Sequence, residues 1–481
     1  MKILYVSPEI TPFAKTGGLA DVAQALPKAL KALGHDIRAV MPKYLSIADQ
    51  NLAMERVAPF TVQMHHGLHG TVLWQAENGS VPTYFIENEA YFYREGFYGR
   101  GNWNYPDNLE RFVFFSKAAL ECCKAIDFAP DVIHCNDWQS AVLPAILKAI
   151  YVTYRKDPFF SPIPKLVYSI HNISYQGRFP EDHWPILSLP RSYYTYDFEF
   201  YGQINLTKSA IHFADAITTV SETYAREIQT TDLGFGLQDV LLSYKENLYG
   251  ILNGADYQDW NPETDPYTYG IHYSADDLSG KRRIKTKLRA EYQLPDTDDV
   301  PLIGMTTRFV EQKGIDLITE CAEQILQLNT QMIVLGSGDQ RYHDFFEWLR
   351  RSYPDRVGLY IGYNNELAHK IEAGADIFLM PSLFEPCGLN QIYSLKFGTL
   401  PIVRVTGGLA DTIQDGVNGY TFFDFSAHFL FDAVQRAIDV YRDHPDRWNQ
   451  MMITAMGQDF SWEKSAEKYL SIYNKVLSKK G

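Results

Sequence analysis

Residues 2–34 read KILYVSPEITPFAKTGGLADVAQALPKALKALG. A short unbroken run of Ile, Leu, Tyr and Val stops at Ser7 and Pro8. A loop with paired glycines follows, and then a stretch with apolar residues at helical spacing. An unbroken apolar run reads as a strand buried on both faces, and such runs alternating with helices mean a parallel sheet. The stretch therefore predicts strand, glycine-rich turn, helix. Gly17 and Gly18 let a ligand approach the backbone, the start of the helix favours an anion, and Lys15 adds a mobile positive charge. The same hexapeptide, TGGLAD, returns at 406–411 behind another apolar run, LPIVRV (400–405).

The pattern repeats outward from there. DIRAVMP (36–42), TYFIEN (83–88), DVIHCND (131–137), KLVYSIHN (165–172) and AITTVS (216–221) are further strand-like runs. LYGILNGADYQDWNPETDP (248–266) is rich in Asn, Asp, Gly and Pro and reads as a linker, with a boundary near residues 250–256. Strand runs then restart: PLIGMTTR (301–308), QMIVLGSGD (331–339), VGLYIGY (357–363), DIFLMPS (376–382), LPIVRV and GYTFFD (419–424). The expected fold is α/β, with two Rossmann-like domains. One spans 1–250 and the other 251–460, and an amphipathic helix over 461–481 has Trp462, Ala466, Tyr469, Tyr473 and Val476 on one face. Ligands of open parallel sheets bind at the carboxyl ends of strands, so two such domains are expected to face an interdomain cleft lined by their strand-end loops.

Composition narrows the function. The chain has 481 residues and a net charge of −14, which argues against nucleic acid as a partner. No apolar run is long enough for a membrane span or a signal peptide. The cysteines number five, with no C-x-x-C pair, which points to a reducing compartment: the cytoplasm, or an organelle such as the plastid stroma for a processed chain. Neither G-x-G-x-x-G nor a Walker A loop is present, so no nicotinamide cofactor and no P-loop are expected. His65, His66 and His69 in MHHGLHG (64–70) have a spacing compatible with metal binding but read first as a flexible polar loop, and no metal is assigned.

Several strand ends carry chemistry. Arg308 and Lys313 in TTRFVEQKG supply two cations suited to a diphosphate. In PSLFEPCGLNQIYSLKFGT, Glu385 can accept hydrogen bonds from sugar hydroxyls, and the amides from Cys387 through Gly388 and Leu389 to Asn390 precede a helical pattern. Cys387 has no evident histidine partner and reads as a small packed residue. Asp137 and His171 end two strands of the first half. The aromatic stretch NEAYFYREGFYGRGNWNYPDN (88–108), with Tyr98 and Trp103, suits stacking on the sugar rings of an acceptor.

KTGGLADV, HCNDW, HNISYQG, LNGAD, the Arg308/Lys313 pair, FEPCGL and the late TGGLAD occur together and in this order. The whole chain thereby resembles the glycogen and starch synthases, retaining glycosyltransferases of the GT-B architecture. The resemblance implies transfer of glucose from ADP-glucose to the non-reducing end of an α-1,4-glucan (glycogen, starch or maltooligosaccharide), with no cofactor. It implies an N-terminal catalytic and acceptor domain, a nucleotide-sugar-binding C-terminal domain, and a final helix that crosses back to the first. By position, Lys15 and Gly18 match contacts to the donor's phosphates and glucose, and Asp21 and Asn253 lie in matching donor motifs. Arg308 and Lys313 match the holders of the diphosphate, Glu385 the carboxylate on glucose hydroxyls, His171 the histidine beside the reacting carbon, and Asp137 a polar partner of the sugar. Tyr363 matches an aromatic that stacks on adenine. Asn390 departs from a Thr common in the family. Both TGGLAD loops are expected to serve one demand, a glycine-rich turn beside an anionic donor. Three alternatives stand beside this reading: a related transferase using UDP-glucose or another acceptor, a pyridoxal-phosphate-dependent glucan phosphorylase, and an inactive glucan-binding protein. The chain is short for a phosphorylase, and related sucrose and lipid transferases show E-x7-E, where this sequence has Tyr393 in place of the second Glu.

Overall fold

The computed structural model describes residues 1–48, 50, 52–101, 103–297 and 299–479. The chain forms two compact units, Met1–Gly254 with Trp462–Gly481, and Ala255–Ser461.

The first unit is built on a nine-stranded sheet. Its strands are β1 (Lys2–Val6), β2 (Asp36–Pro42), β3 (Glu55–Met64), β4 (Gly67–Asn78), β5 (Val81–Glu87), β6 (Val132–Asn136), β7 (Lys165–Ile170), β8 (Ala216–Thr219) and β9 (Leu248–Gly250). Their spatial order is β9-β8-β7-β6-β1-β2-β5-β4-β3. All pairings from β9 across to β5 are parallel. Ile3, Leu4, Tyr5 and Val6 of β1 are wholly buried, as the unbroken run requires. β4 and β3 extend the sheet as an antiparallel hairpin. Their polar and apolar residues alternate, so they form a half-exposed edge that no continuous apolar run announces.

Helix α1 (Gly18–Ala32) turns Ala20, Ala23, Leu26 and Leu30 inward. Helix α2 (Asn108–Ala125) is buried along most of its length, including Arg111, whose guanidinium donates to Tyr91 O and Asn108 Oδ1.

The second unit carries a six-stranded parallel sheet of β10 (Leu302–Phe309), β11 (Gln331–Gly338), β12 (Val357–Ile361), β13 (Ile377–Met380), β14 (Leu400–Arg404) and β15 (Tyr420–Phe422). The order is β12-β11-β10-β13-β14-β15. The first strand is thus central, and the winding reverses between β10 and β13, as in a doubly wound Rossmann sheet. Its short helices α3 (Asn390–Lys396) and α4 (Gly407–Thr412) follow β13 and β14.

The last helix, α5 (Trp462–Ser478), belongs to the first unit. It buries Trp462, Ala466, Tyr469, Tyr473 and Val476. Ser465 Oγ donates to Leu252 O at 2.7 Å, and Tyr473 Oη lies 2.6 Å from His134 Nδ1 under the sheet. A side chain at Gly254 would meet the Trp462 backbone at 2.6 Å, so glycine is what lets the departing and returning segments lie together.

Candidate active site

In each unit the candidate residues gather where the winding reverses, at the carboxyl ends of the central strands. In the first unit these are the exits of β1 and β6. Beyond β1, Lys15 Nζ sits 2.7 Å from Asp21 Oδ1, with Lys15 exposed and Asp21 half-buried. Glu9 is buried beneath this loop. Its carboxylate accepts from Thr16 Oγ1 at 2.7 Å, from Tyr98 Oη at 2.6 Å, and from the Thr16 amide. Glu9 therefore fixes the turn that presents Gly17 and Gly18, yet nothing in SPEITPF distinguishes it from a loop acid.

Beyond β6, Asp137 adopts a left-handed backbone with φ of 53°. This aims its carboxylate back at the β7 exit, where Oδ1 accepts the His171 amide at 2.8 Å. Asn136 Oδ1 accepts from Tyr5 Oη and from the His171 ring, each at 3.0 Å, while its amide donates to Val6 O. An oxygen that only accepts assigns the His171 proton to Nε2. Burial pushes the His171 imidazole down to about 3, so it is neutral at neutral pH. Burial also pushes the Asp137 carboxyl up to about 7, against the opposing pull of the His171 amide and with a push from nearby Glu9. Asn136 is thus the second residue that motif reading missed; it stands in HCNDW but shows its role only once β1 and β7 flank it.

Asn253 is buried, and its Oδ1 has no hydrogen-bond partner among the described residues. Tyr98 faces inward toward Glu9 and Trp138, whereas Trp103 is 83% exposed.

In the second unit, Arg308, Lys313, Glu385, Gly388, Leu389 and Asn390 line one pocket of about 180 Å³. Lys313 Nζ is 2.6 Å from Glu385 Oε2, and Ser382 Oγ donates to the same oxygen at 3.0 Å. Arg308 is exposed at the strand exit and has no ion-pair partner among the described residues. Gly314 ends the Lys313 turn at φ of 68°, and a Cβ there would lie 1.9 Å from Pro381 O. Asn390 Nδ2 donates to Thr306 O at 2.8 Å and so ties the start of α3 to β10. Gln391, which motif reading passed over, is wholly buried and donates to both Cys387 O and Gly388 O at 3.0 Å. It holds those carbonyls in place, while Cys387 is itself buried as a packed residue. Tyr363 stands apart from this pocket with its ring 82% exposed.

The late TGGLAD corrects an expectation. Gly407 and Gly408 are buried, and side chains there would strike Glu385 O and Cys387 O at 1.9 and 2.1 Å. They serve packing under the Glu385 loop, whereas a side chain at Gly17 or Gly18 would meet nothing within 4 Å. A larger surface depression of about 470 Å³, lined by Lys2, Asp36, Asp131 and Phe160, contains none of the candidate residues.

The comparisons with known proteins agree with this arrangement. The family model described as starch synthase catalytic domain matches residues 2–243, and that for glycosyl transferases group 1 matches residues 285–451. Glycogen synthase 1 of Geobacter metallireducens is 43% identical over 100% of this chain and 97% of its own. The chain belongs to the glycogen and starch synthase family. Glycogen synthase of Desulforudis audaxviator is equally similar, at 43% identity with the same coverage. The catalytic domain of starch synthase IV from Arabidopsis thaliana, solved bound to ADP and acarbose, superposes with a TM-score of 0.90 at 32% identity, covering 99% of both chains. Sucrose-phosphate synthase from Thermosynechococcus elongatus shares the fold at a TM-score of 0.61 and 18% identity. This family member is therefore an enzyme, a glycosyltransferase with the two-domain GT-B fold. No helix among the described residues is long and apolar enough to cross a membrane.

Proposed function

We propose that this synthase moves glucose from ADP-glucose to the non-reducing end of an α-1,4-glucan, with retention of the α configuration. The carrying observation is the pocket at the β10/β13 switch point, where Lys313 and Glu385 meet at 2.6 Å beside the exposed Arg308. Two cations and a carboxylate match a substrate that is an anionic diphosphate on one side and hydroxyl-rich on the other. On binding, the diphosphate competes with Glu385 for Lys313 and frees the carboxylate for sugar hydroxyls. Lys15 adds a further cation toward the phosphates, and Tyr363 offers its open face to the base.

The bond from the anomeric carbon to the diphosphate breaks, a glycosidic bond forms to the acceptor oxygen, and the acceptor's proton leaves on a phosphate oxygen. Charge grows on the diphosphate and the sugar becomes cationic, so fixed cations on one side are worth most in the transition state. Holding His171 neutral avoids placing a second positive charge beside that sugar. A reducing cytoplasm suits the five buried cysteine thiols.

The test supplies ADP-glucose or UDP-glucose with maltooligosaccharide and measures nucleotide release. Glucan-dependent ADP release is expected. Faster release from UDP-glucose would overturn the donor, and no release from either would leave a binding protein.

A further inference from the structure

The motif MHHGLHG (64–70) takes no part in the donor chemistry. It is not the loose polar loop expected from composition. Met64 pairs with Gly67, so His65 and His66 form the two-residue turn of the β3–β4 hairpin, and His69 follows within β4 opposite Val62. The turn lies against the first turn of α2, where Glu110 projects.

Three imidazoles and a carboxylate meet there. His65 Nδ1 and His66 Nδ1 are 3.1 Å apart, and His66 Nε2 is 3.4 Å from Glu110 Oε1. The His66 ring lies 4.4 Å, centre to centre, from both His65 and His69. One ligand atom from each of His65, His66 and Glu110 falls within 4.8 Å of the others. A further shell orients the group: Tyr91 Oη donates to Glu110 Oε1 at 2.6 Å, and the Tyr91 ring stacks on His69 at 5.7 Å.

The spacing fits a metal. Zinc–nitrogen bonds of about 2.0–2.1 Å at tetrahedral angles put two ligand nitrogens about 3.3 Å apart, near the separation of the two Nδ1 atoms. Lys117, the nearby cation, is turned away and donates to Gln63 O and Ser188 Oγ. Imidazoles with one carboxylate favour zinc-like transition cations over the harder magnesium or calcium.

We propose that His65, His66 and Glu110, with water completing the coordination, form a site for a zinc-class divalent cation that fastens the β3–β4 hairpin to α2. The site lies outside the donor pocket and binds metal independently of turnover.

The experiment uses full-length chain without an affinity tag, stripped with chelator, in calorimetric titration with zinc chloride and with magnesium chloride. One equivalent of zinc should bind, raise the melting temperature and leave magnesium without effect. Cobalt loaded in place of zinc should give the intense visible bands of a tetrahedral site. His66→Gln and Glu110→Gln should each weaken zinc binding at least tenfold and bleach the cobalt bands, while metal-free turnover stays at the wild-type value and reports intact folding. A wild-type chain that takes up no zinc overturns the site. So does uptake unchanged in both variants, which would send the metal to other residues.

Discussion

The two copies of TGGLAD spell the same six residues and do different physical work. In the early copy, Lys15, Thr16, Gly17 and Gly18 are all exposed, Gly17 is extended at φ of −160°, and a fifteen-residue helix follows. In the late copy, Thr406, Gly407 and Gly408 are buried, Gly407 is left-handed at φ of 43°, and the helix has six residues. The early glycines are small toward open space, which suits a ligand's approach. The late glycines are small toward the backbone of Glu385 and Cys387, which they support from beneath. An identical hexapeptide therefore fixes a turn into a helix but not the reason for its glycines, which the neighbouring strand ends decide.

The largest expected effect tests that contrast directly. Gly407→Ala adds a Cβ where 1.9 Å separates it from Glu385 O, in a backbone region that costs a non-glycine residue about 1–3 kcal/mol even without a clash. The loop bearing Glu385 must shift, so both stability and turnover should collapse. Gly17→Ala has neither penalty and should leave stability within about 0.5 kcal/mol, in line with surface substitutions. Urea midpoints compare the pair. Equal midpoints would mean that the two glycines do the same work after all.

The cations near the late copy divide next. Arg308→Ala and Lys313→Ala should each lower turnover by a factor of about 100 or more, the usual cost of one transition-state donor of roughly 3 kcal/mol. Their stabilities should part. Arg308 is exposed, and its loss should leave the midpoint unmoved. Lys313 is the ion partner of Glu385, whose side chain is only 8% exposed. Removing one partner of a buried pair destabilises by roughly 3 kcal/mol. A stable Lys313→Ala chain would show that Ser382 alone satisfies Glu385.

Much of this was legible before folding. Unbroken apolar runs revealed the parallel strands, because burial on both faces leaves no room for polar residues. Their terminal loops pointed to Asp137, His171, Arg308, Lys313 and Glu385 as candidates. The β3–β4 hairpin escaped because its half-exposed strands alternate residue types and ten or twelve residues of such a pattern blend with polar loop. Glu9, Asn136 and Gln391 escaped for another reason. Each acts by holding backbone or side-chain groups that are distant in sequence or unremarkable alone, so only the assembled strand ends give it partners.

A smaller effect concerns the two kinds of buried carboxylate. Glu385 has a cation, whereas Asp137 has only the backbone amides of His171 and Asn172 against its carboxylate. With its carboxyl pushed up to about 7 from 3.8, folded Asp137 keeps a proton that the unfolded chain releases, so its contribution to stability is lost as pH rises between those values. His171, pushed down to about 3 from 6.5, acts in the opposite sense: its contribution is lost as pH falls through that window. Asp137→Asn removes the first dependence and keeps an oxygen for the His171 amide. The variant should therefore gain stability relative to wild type as pH rises from about 4 and level off above about 7. Urea midpoints across this range check it, and a difference that shrinks as pH rises would reverse the assigned protonation.

The smallest effect returns to the hexapeptides. Lys15 Nζ touches Asp21 Oδ1 at 2.7 Å, but the side chains are 47% and 29% exposed, so the pair contributes at most about 1 kcal/mol to stability. Asp21→Asn keeps an acceptor for Thr11 Oγ1, which now lies 3.2 Å from the carboxylate, and removes only the charge. If Lys15 meets the donor's phosphates, Asp21 is its resting partner and a competitor for it. The variant should then show an unchanged melting temperature and a donor KM lowered about twofold at low salt, the scale of an exposed ion pair. High salt should erase the gain, because exposed charges are screened. A raised KM in Asp21→Asn would mean instead that the carboxylate holds Lys15 in its working position.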